Sequence, residues 1–135
     1  GKTLQQLLAS SPNKKISLGL VHRDFKHWNI NTENGLLIYD FEEAVVDGPP
    51  LEDMFNFYVD PVVRYQSANE VASIIFDMQN VKKYQSYLKA LNVELDYRVL
   101  LYCFLIERAL FWMNANDKKT ADKYCQLFHY VITIS

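Results

Sequence analysis

The chain changes near residue 51 from short strand-like runs to long helical patterns. In the first part the apolar residues come in brief runs, and two of these flank the pair Asn34-Gly35, which is a strong signal for a β-hairpin turn. Polar breaks separate the runs, so the elements of this part are predicted to be short. We predict one helix, one extended run, one hairpin and one loop, over 3–10, 16–21, 28–41 and 46–50.

The second part, from residue 51 to the end, is helical throughout. Ser67 and Glu70 form a capping-box pattern that marks the start of a helix. Pro61 interrupts the first helical pattern, so that helix is predicted to bend or break there. The segment 96–115 is apolar almost all round, which is typical of a central buried helix. We predict five helices, at about 51–65, 68–78, 81–91, 96–115 and 118–132.

Composition agrees with one folded domain. The chain has 135 residues, of which 50% are apolar and 14% aromatic, and this is enough for one core. The predicted fold class is mainly α (α+β), with a short β-hairpin and its preceding loop followed by a helical body of about five helices. We find no repeat and no internal linker in the sequence, so a single domain over 1–135 is expected.

Charge and hydropathy argue against several classes of partner. A net charge of −2 gives no basic surface for nucleic acid. The longest apolar run, 99–106, is far below the ~20 residues of a membrane-spanning helix, so no membrane span is expected. The sequence has no recognisable signal peptide, and Cys103 and Cys125 sit in apolar helical patterns. We expect both as buried, reduced thiols of a cytoplasmic protein.

Ionisable residues gather in "HRDFKHWNI" (22–30), directly before the hairpin. A hairpin brings its two ends together, so Asn29 and Asp40 are expected side by side, and Asp24 approaches from the preceding loop. Two carboxylates and an amide oxygen are hard ligands of the kind that Mg²⁺ takes together with phosphate oxygens and water. Without a cation the two acids would repel one another. Lys26 lies in the same loop and can supply positive charge to a phosphate.

Two motifs in this region resemble those of a known superfamily. The pattern His-Arg-Asp-x-Lys-x-x-Asn at 22–29, here called the HRD loop, resembles the catalytic loop of the protein-kinase-like superfamily. Asp-Phe-Glu at 40–42 resembles its metal-binding motif, in the form where Glu replaces the last Gly. The order of "IYDFEEA", "GPPLEDMFNF" and the helix-opening Asp53 is similar to the aminoglycoside phosphotransferase and choline kinase branch. The resemblance is specific over about 20–58 and only topological beyond it.

The resemblance implies the C-terminal lobe of an ATP-dependent phosphotransferase, which transfers the γ-phosphoryl group of ATP to a hydroxyl. It implies that Asp24 orients that hydroxyl and accepts its proton, while Lys26 offsets charge on the transferred group and contacts the nucleotide phosphates. Asn29 and Asp40 would hold Mg²⁺ on those phosphates. Catalysis of this kind is mostly positioning and charge stabilisation, so few residues suffice.

Four further residues are expected to support the site. His22 is expected as a buried imidazole bonded to the backbone, and Arg23 as a partner in structural ion pairs. Asp53 would hold the HRD loop through backbone N–H groups. Glu42 would orient the metal shell, as its place in the motif implies, or remain solvated.

The distance between the two motifs favours a small acceptor. Twelve residues separate Asp40 from Asp53, and no Ala-Pro-Glu follows, so there is no room for the long activation segment on which protein kinases dock a polypeptide. We therefore expect a small-molecule or glycan acceptor rather than a protein. For Asp60, a place on a solvated helix face is favoured over a place in the acceptor groove.

The chain resembles one lobe of a two-lobed enzyme. Its glycines, at positions 1, 19, 35 and 48, form no glycine-rich phosphate loop, and no strand reads like Val-Ala-Ile-Lys. The N-terminal nucleotide lobe is therefore expected to be missing from this chain, which by itself should be inactive and should self-associate through the apolar docking face. Two alternatives remain open: a non-catalytic pseudokinase-like remnant or binding module, and an atypical protein kinase relative.

Overall fold

The computed structural model of the chain describes residues 4–10 and 15–135. The start of the first predicted helix, at residue 3, and the break that follows it, at 11–14, lie outside the described residues. The elements come in the predicted order, with the short ones before the long helices. They are α1 (Leu4–Ala9), β1 (Gly19–Val21), a 3-10 turn (His27–Asn29), β2 (Ile30–Asn31), β3 (Leu37–Ile38), β4 (Val45–Gly48), α2 (Glu52–Val59), α3 (Ala68–Ile75), α4 (Met78–Ala90), α5 (Tyr97–Asn114) and α6 (Lys118–Ile134).

The fold is mixed α+β and mostly helical. In the described residues, two small antiparallel sheets precede a body made of α2 to α6. This confirms the predicted class, mainly α with a small β element. None of the helices in this part of the chain combines the length and the apolar content needed to cross a bilayer.

The predicted hairpin is present and consists of β2 and β3. Ile30 lies opposite Ile38 in an antiparallel register, and Asn31 lies opposite Leu37. The turn between them contains Gly35 at φ 108°, a backbone conformation that favours glycine. The hairpin therefore returns the chain to the end of the HRD loop.

The other sheet pairs β1 with β4. The loop predicted for 46–50 is therefore wrong over 46–48, which belong to β4. Val45–Gly48 extends as a strand because it finds β1 as an antiparallel partner, with Val21 opposite Val45. A Cβ atom at Gly48 would lie 2.5 Å from Cγ2 of Val21, so the close approach of the two strands requires a glycine there.

The helical body has a core of its own. Its largest buried side chains include Phe55, Tyr84, Leu101, Leu105 and Tyr124, none of which reaches solvent. The rings of Phe55 and Tyr84 contact edge to face, with their centroids 5.3 Å apart. Burying each such side chain contributes about 1.5–3 kcal/mol. This core fixes α2, the helix on which the HRD loop rests.

The helix ends follow local signals more closely than the predicted bounds. α2 ends well before residue 65, because Pro61 has no N–H to donate to the preceding turn. The capping box is confirmed, since Ser67 Oγ accepts from the Glu70 N–H at 3.3 Å. α4 begins earlier than predicted because Asp77 caps it, accepting from the Gln79 N–H at 2.9 Å.

The prediction that 96–115 is buried all round is wrong for one side of α5. That side exposes Cys103, Ile106, Leu110 and Met113, which follow one another at helical spacing. α5 contacts α1, α2, α4 and α6, and these four side chains nevertheless remain exposed. Cys125 on α6 is exposed too. The expectation of buried thiols is therefore wrong. The two cysteines no longer support the predicted cytoplasmic location.

Candidate functional site

Three polar residues on one face of α2 and its C-cap meet the HRD loop. Asp53 accepts hydrogen bonds from the backbone N–H groups of His22, at 2.8 Å, and Arg23, at 2.9 Å. Asn56 Nδ2 donates to the Arg23 carbonyl at 2.8 Å. Asp60 follows at the next position on this face. The expected role of Asp53, to hold the loop through its backbone, is confirmed.

His22 joins the loop to the end of the hairpin. The imidazole is 3% exposed, and its Nε2 lies 2.6 Å from the Tyr39 carbonyl. Its Nδ1 accepts from the Asp24 N–H at 3.3 Å, so the ring proton belongs on Nε2. The Phe41 ring packs on the imidazole, with centroids 4.5 Å apart. His22 is thus the buried, backbone-bonded residue that the motif implies.

The structure brings Asp24, Asn29 and Lys26 together. Asn29, which is buried, donates from Nδ2 to both the carbonyl and the Oδ2 of Asp24, each at 2.9 Å. Lys26 Nζ forms an ion pair with Oδ1 of the same carboxylate. The Asp24 carboxylate is therefore held in one orientation from two sides, while about a third of its side chain remains exposed.

The Asp60 carboxylate is buried and binds Lys26 together with two residues of the helical body. The prediction that Asp60 lies on a solvated helix face is therefore wrong. Its side chain is 8% exposed. Lys26 Nζ lies 2.9 Å from Oδ2, Arg108 Nη2 lies 3.0 Å from Oδ1, and the Tyr124 hydroxyl donates to Oδ1. Burial acts to raise the pKa of Asp60, but Arg108, Tyr124 and Lys26 hold it below its ordinary value. Burial acts to lower the pKa of Lys26, and its bonds to Asp24 and Asp60 raise it instead.

Arg23 makes the ion pairs expected of it. Its Nε lies 3.4 Å from Glu52 Oε1, and its Nη2 lies 3.5 Å from Glu107 Oε1. Glu52 is 6% exposed, and burial, reinforced by the negative charge of Glu107, raises its pKa to about 7 despite Arg23. Glu52 was not among the predicted site residues, and nothing in its sequence context distinguishes it from the other helix-opening acids.

Asp40 lies beside this cluster without joining it. The Tyr39 N–H donates to the Asn29 carbonyl at 2.9 Å, which places Asp40 one residue beyond the hairpin pair. The side chains of Asp40 and Glu42 are exposed and form no hydrogen bond or ion pair with a described residue. Of the two roles left open for Glu42, the exposed side chain agrees with the solvated one. Asp40 and Arg23 have φ angles of 64° and 68°.

Such left-handed angles cost about 1–3 kcal/mol at a non-glycine residue, and they concentrate at functional sites. Five non-glycine residues of the described part have such angles: the predicted site residues Arg23 and Asp40, Leu51 with φ 70° directly before α2, and Asn92 and Asn116 just after α4 and α5. Asparagine adopts this conformation more readily than most residues. The anchoring by Asp53 and His22 explains how the fold sustains the first of these angles.

The oxygen atoms predicted to hold a cation are compatible with Mg²⁺. Nδ2 of Asn29 is used on Asp24, and its Oδ1 has no donor among the described residues. With the exposed Asp40 carboxylate this makes an amide oxygen and a carboxylate, and Mg²⁺ commonly takes one or two protein ligands with phosphates and water. No three His, Cys, Asp or Glu side chains form a metal-binding group in residues 4–10 and 15–135.

The HRD loop and the hairpin expose large apolar side chains. Trp28 is 57% exposed, with Lys26 Nζ 5.4 Å from its ring centroid. Leu36, Leu37 and Phe41 are exposed as well. Apolar side chains are therefore exposed both in the loop that carries Asp24 and in or next to the hairpin that follows it.

Asp60, Arg108 and Tyr124 are the residues that sequence reasoning missed. One signal could have found the first: Asp53, Asn56 and Asp60 are spaced three and four residues apart, which puts them on one face of a helix.

No family model, curated protein or solved structure matches the chain. The resemblance to kinases therefore rests on the motif residues of the sequence alone.

Proposed function

We propose that the chain is the C-terminal lobe of an ATP-dependent phosphotransferase that acts on a hydroxyl of a small molecule or glycan. The observation that carries the proposal is the double hydrogen bond from Asn29 to Asp24, in a loop whose backbone N–H groups are held by Asp53. A solvated polar turn would need neither contact. Orientation of one carboxylate from several sides is what a general base requires.

In the proposed reaction the acceptor oxygen forms a bond to the γ-phosphorus as the bond from that phosphorus to the β–γ bridging oxygen breaks. ADP leaves, and the hydroxyl proton passes to Asp24. Lys26 and Asn29 occupy one site on each carboxylate oxygen, and an ionised carboxylate has about four acceptor sites. Asp24 therefore keeps the capacity to accept the proton while its orientation is fixed.

Asn29 and Asp40 would hold Mg²⁺, which when bound offsets the charge of the phosphates. Lys26 would add positive charge next to the transferred group. Asp60 and Asp53 would act as positioning residues, the first on Lys26 and the second on the loop backbone. Cytoplasmic location and a separate N-terminal nucleotide lobe belong to the same proposal.

A non-catalytic binding module is the second candidate, and one observation favours it. Lys26 Nζ lies between two carboxylates, Asp24 and Asp60, and its side chain is 15% exposed. A cation neutralised in this way has less to offer a phosphate. On this view the polar cluster maintains the shape of the loop and no transfer occurs.

A phosphotransfer assay separates the two candidates. The protein that carries this lobe, with any segments that flank it in its gene, is incubated with Mg²⁺, radiolabelled ATP and a panel of sugars, cyclitols and amino alcohols. Asp24→Asn should lower turnover by roughly 10²–10⁴-fold. Asp47→Asn is the matched control, since Asp47 is exposed on β4, and it should retain activity. If both changes have equal, mild effects, or if no acceptor receives phosphate, the phosphotransferase is rejected and the binding module remains as the candidate.

A further inference from the structure

A cavity of about 180 Å³ lies beside Asp24, between the HRD loop and α5. Its wall includes Lys26 from the loop, Glu52 from the start of α2, and Arg108 and Trp112 from α5. Three other cavities, of about 300, 300 and 30 Å³, do not reach Asp24. A molecule in this cavity would lie next to the proposed base.

The charges of the wall nearly cancel, with three cationic side chains and four carboxylates. Each cation already lies within ion-pair distance of a carboxylate, and the pairs are Arg23 with Glu52, Lys26 with Asp24, and Arg108 with Asp60. An anionic guest would find no unpaired cation here, and burying a charge without a partner is costly. The wall therefore disfavours a guest with a negative charge.

The same wall is short of hydrogen-bond partners. Of the seven buried side-chain polar atoms that form no hydrogen bond with the described residues, four belong to it: Arg23 Nε, Glu52 Oε2, Arg108 Nε and Trp112 Nε1. Among these, Arg23 Nε has only the ion-pair contact with Glu52 Oε1 at 3.4 Å. Each unmade bond costs about 1–3 kcal/mol. The three nitrogen atoms can donate and the carboxylate oxygen can accept.

A hydroxyl group both donates and accepts, so a guest with several hydroxyls can serve both kinds of atom. The four atoms are buried although their residues line the cavity, so side-chain rotations would have to accompany binding. Phe111, half exposed on the same wall, offers an apolar surface for the C–H face of a ring. The volume is below the ~300–1,000 Å³ of sites for drug-sized ligands, which suits a single ring.

We propose that this cavity holds the acceptor, and that the acceptor is a hydroxyl-rich ring without a negative charge, such as a sugar residue or a cyclitol. This inference rests on the proposed function, because it identifies the guest as the molecule that receives the phosphoryl group. The ring would be held by Trp112, Arg108 and Glu52, with one hydroxyl next to Asp24.

The test is a titration of the ¹⁵N-labelled chain followed through its two indole N–H resonances, which Trp28→Phe assigns. The probes are myo-inositol and methyl β-D-glucopyranoside, with glucose 6-phosphate as the anionic counterpart. The two uncharged probes should shift the Trp112 resonance saturably at millimolar concentration and leave Trp28 unmoved. Glucose 6-phosphate should bind at least about fivefold more weakly. Trp112→Phe, which keeps an aromatic ring but removes the N–H, should weaken binding severalfold.

Two results would overturn the inference: no saturable shift of Trp112 with any probe, or tighter binding of glucose 6-phosphate than of the uncharged ring. If Trp112→Phe fails to fold, the wild-type titration still decides between these outcomes. Failure of the proposed function looks different, because the ring would then bind while the transfer assay stays negative. Transfer to an open-chain alcohol without ring binding would support the phosphotransferase and overturn the assignment of the cavity.

Discussion

The ammonium group of Lys26 lies 2.9 Å from the buried carboxylate of Asp60, and this contact joins the HRD loop to the helical body. The same carboxylate binds Arg108 of α5 and Tyr124 of α6. The position of Lys26 is therefore set by three helices as well as by its own loop. In the proposed reaction this matters, since a charge that offsets developing negative charge has to be in place beforehand.

Asp60→Asn should destabilise the fold and lower the pKa of Lys26. Removing one partner of a buried ion pair costs about 3–5 kcal/mol. Burial already acts to lower the pKa of Lys26, so with one of its two carboxylates lost the value should fall below that of the wild type. Urea unfolding measures the first effect, and NMR titration of the Lys26 side chain measures the second.

Asp122→Asn is the matched control, because Asp122 pairs with Lys118 on the exposed surface of α6 at 3.0 Å. Exposed pairs of this kind contribute little. The control should leave both the unfolding free energy and the Lys26 titration unchanged. An Asp60→Asn protein that unfolds and titrates like this control would show that Asp60 does not position Lys26.

Local signals in the sequence were sufficient for the hairpin and for the start of α3 after Ser67. Asn34-Gly35 and the pair Ser67 and Glu70 act within a few residues, so their outcome depends little on the rest of the fold. The contacts that Asp60 makes could not be predicted in this way. Its partners Arg108 and Tyr124 lie 48 and 64 residues further along the chain, and only the packing of α2, α5 and α6 brings them together.

The same dependence on distant contacts explains why β4 and the exposed side of α5 were not predicted. Val45–Gly48 becomes a strand through a partner far back in the chain, and a segment that is apolar all round gives no sign of which side its neighbours will cover. For the site, spacing predicted that Asp24 and Asn29 meet. It did not predict that the exposed Asp40 side chain forms no hydrogen bond with either of them.

Asp53→Ala should loosen the HRD loop specifically. The change removes two hydrogen bonds from backbone N–H groups to a carboxylate, each worth about 1.5–3 kcal/mol. Amide hydrogen exchange at His22 and Arg23 should therefore accelerate. Asp77→Ala also removes two backbone N–H bonds, to Gln79 and Asn80, at the start of α4. It should destabilise that helix while exchange at His22 and Arg23 keeps its wild-type rate, and acceleration by both variants alike would contradict the anchoring role.

Glu52 should make the protein less stable as the pH rises from about 4.5 to about 7. Its folded pKa is raised to about 7, so across this window the folded state holds a proton that the unfolded state has released. Below the window both states are protonated, and above it both are ionised, so the loss is complete there. At about 1.4 kcal/mol for each pKa unit, the difference corresponds to roughly 3 kcal/mol.

Glu52→Gln should remove this dependence, because the amide resembles the protonated acid. Urea unfolding at pH 5 and pH 8 should find the variant more stable than the wild type at pH 8 and nearly equal to it at pH 5. Glu33→Gln changes an exposed acid in the hairpin turn and should keep the wild-type dependence. A Glu52→Gln protein with the same pH dependence as Glu33→Gln would mean that Glu52 is ionised in the fold at ordinary pH.

By itself the 135-residue chain should bind Mg·ATP no better than near millimolar, or about −4 kcal/mol, and should transfer no phosphate. Its sequence has no glycine-rich phosphate loop, and Lys26 is already engaged by two carboxylates. Mg²⁺ gives up its water reluctantly, so two protein ligands hold it loosely. Isothermal titration beside a hydrolysis assay measures both quantities.

Asp40→Ala should remove the Mg²⁺-dependent part of the binding, while Asp47→Ala, at an exposed site on β4, should not. Micromolar binding with turnover would show instead that this chain holds a complete site.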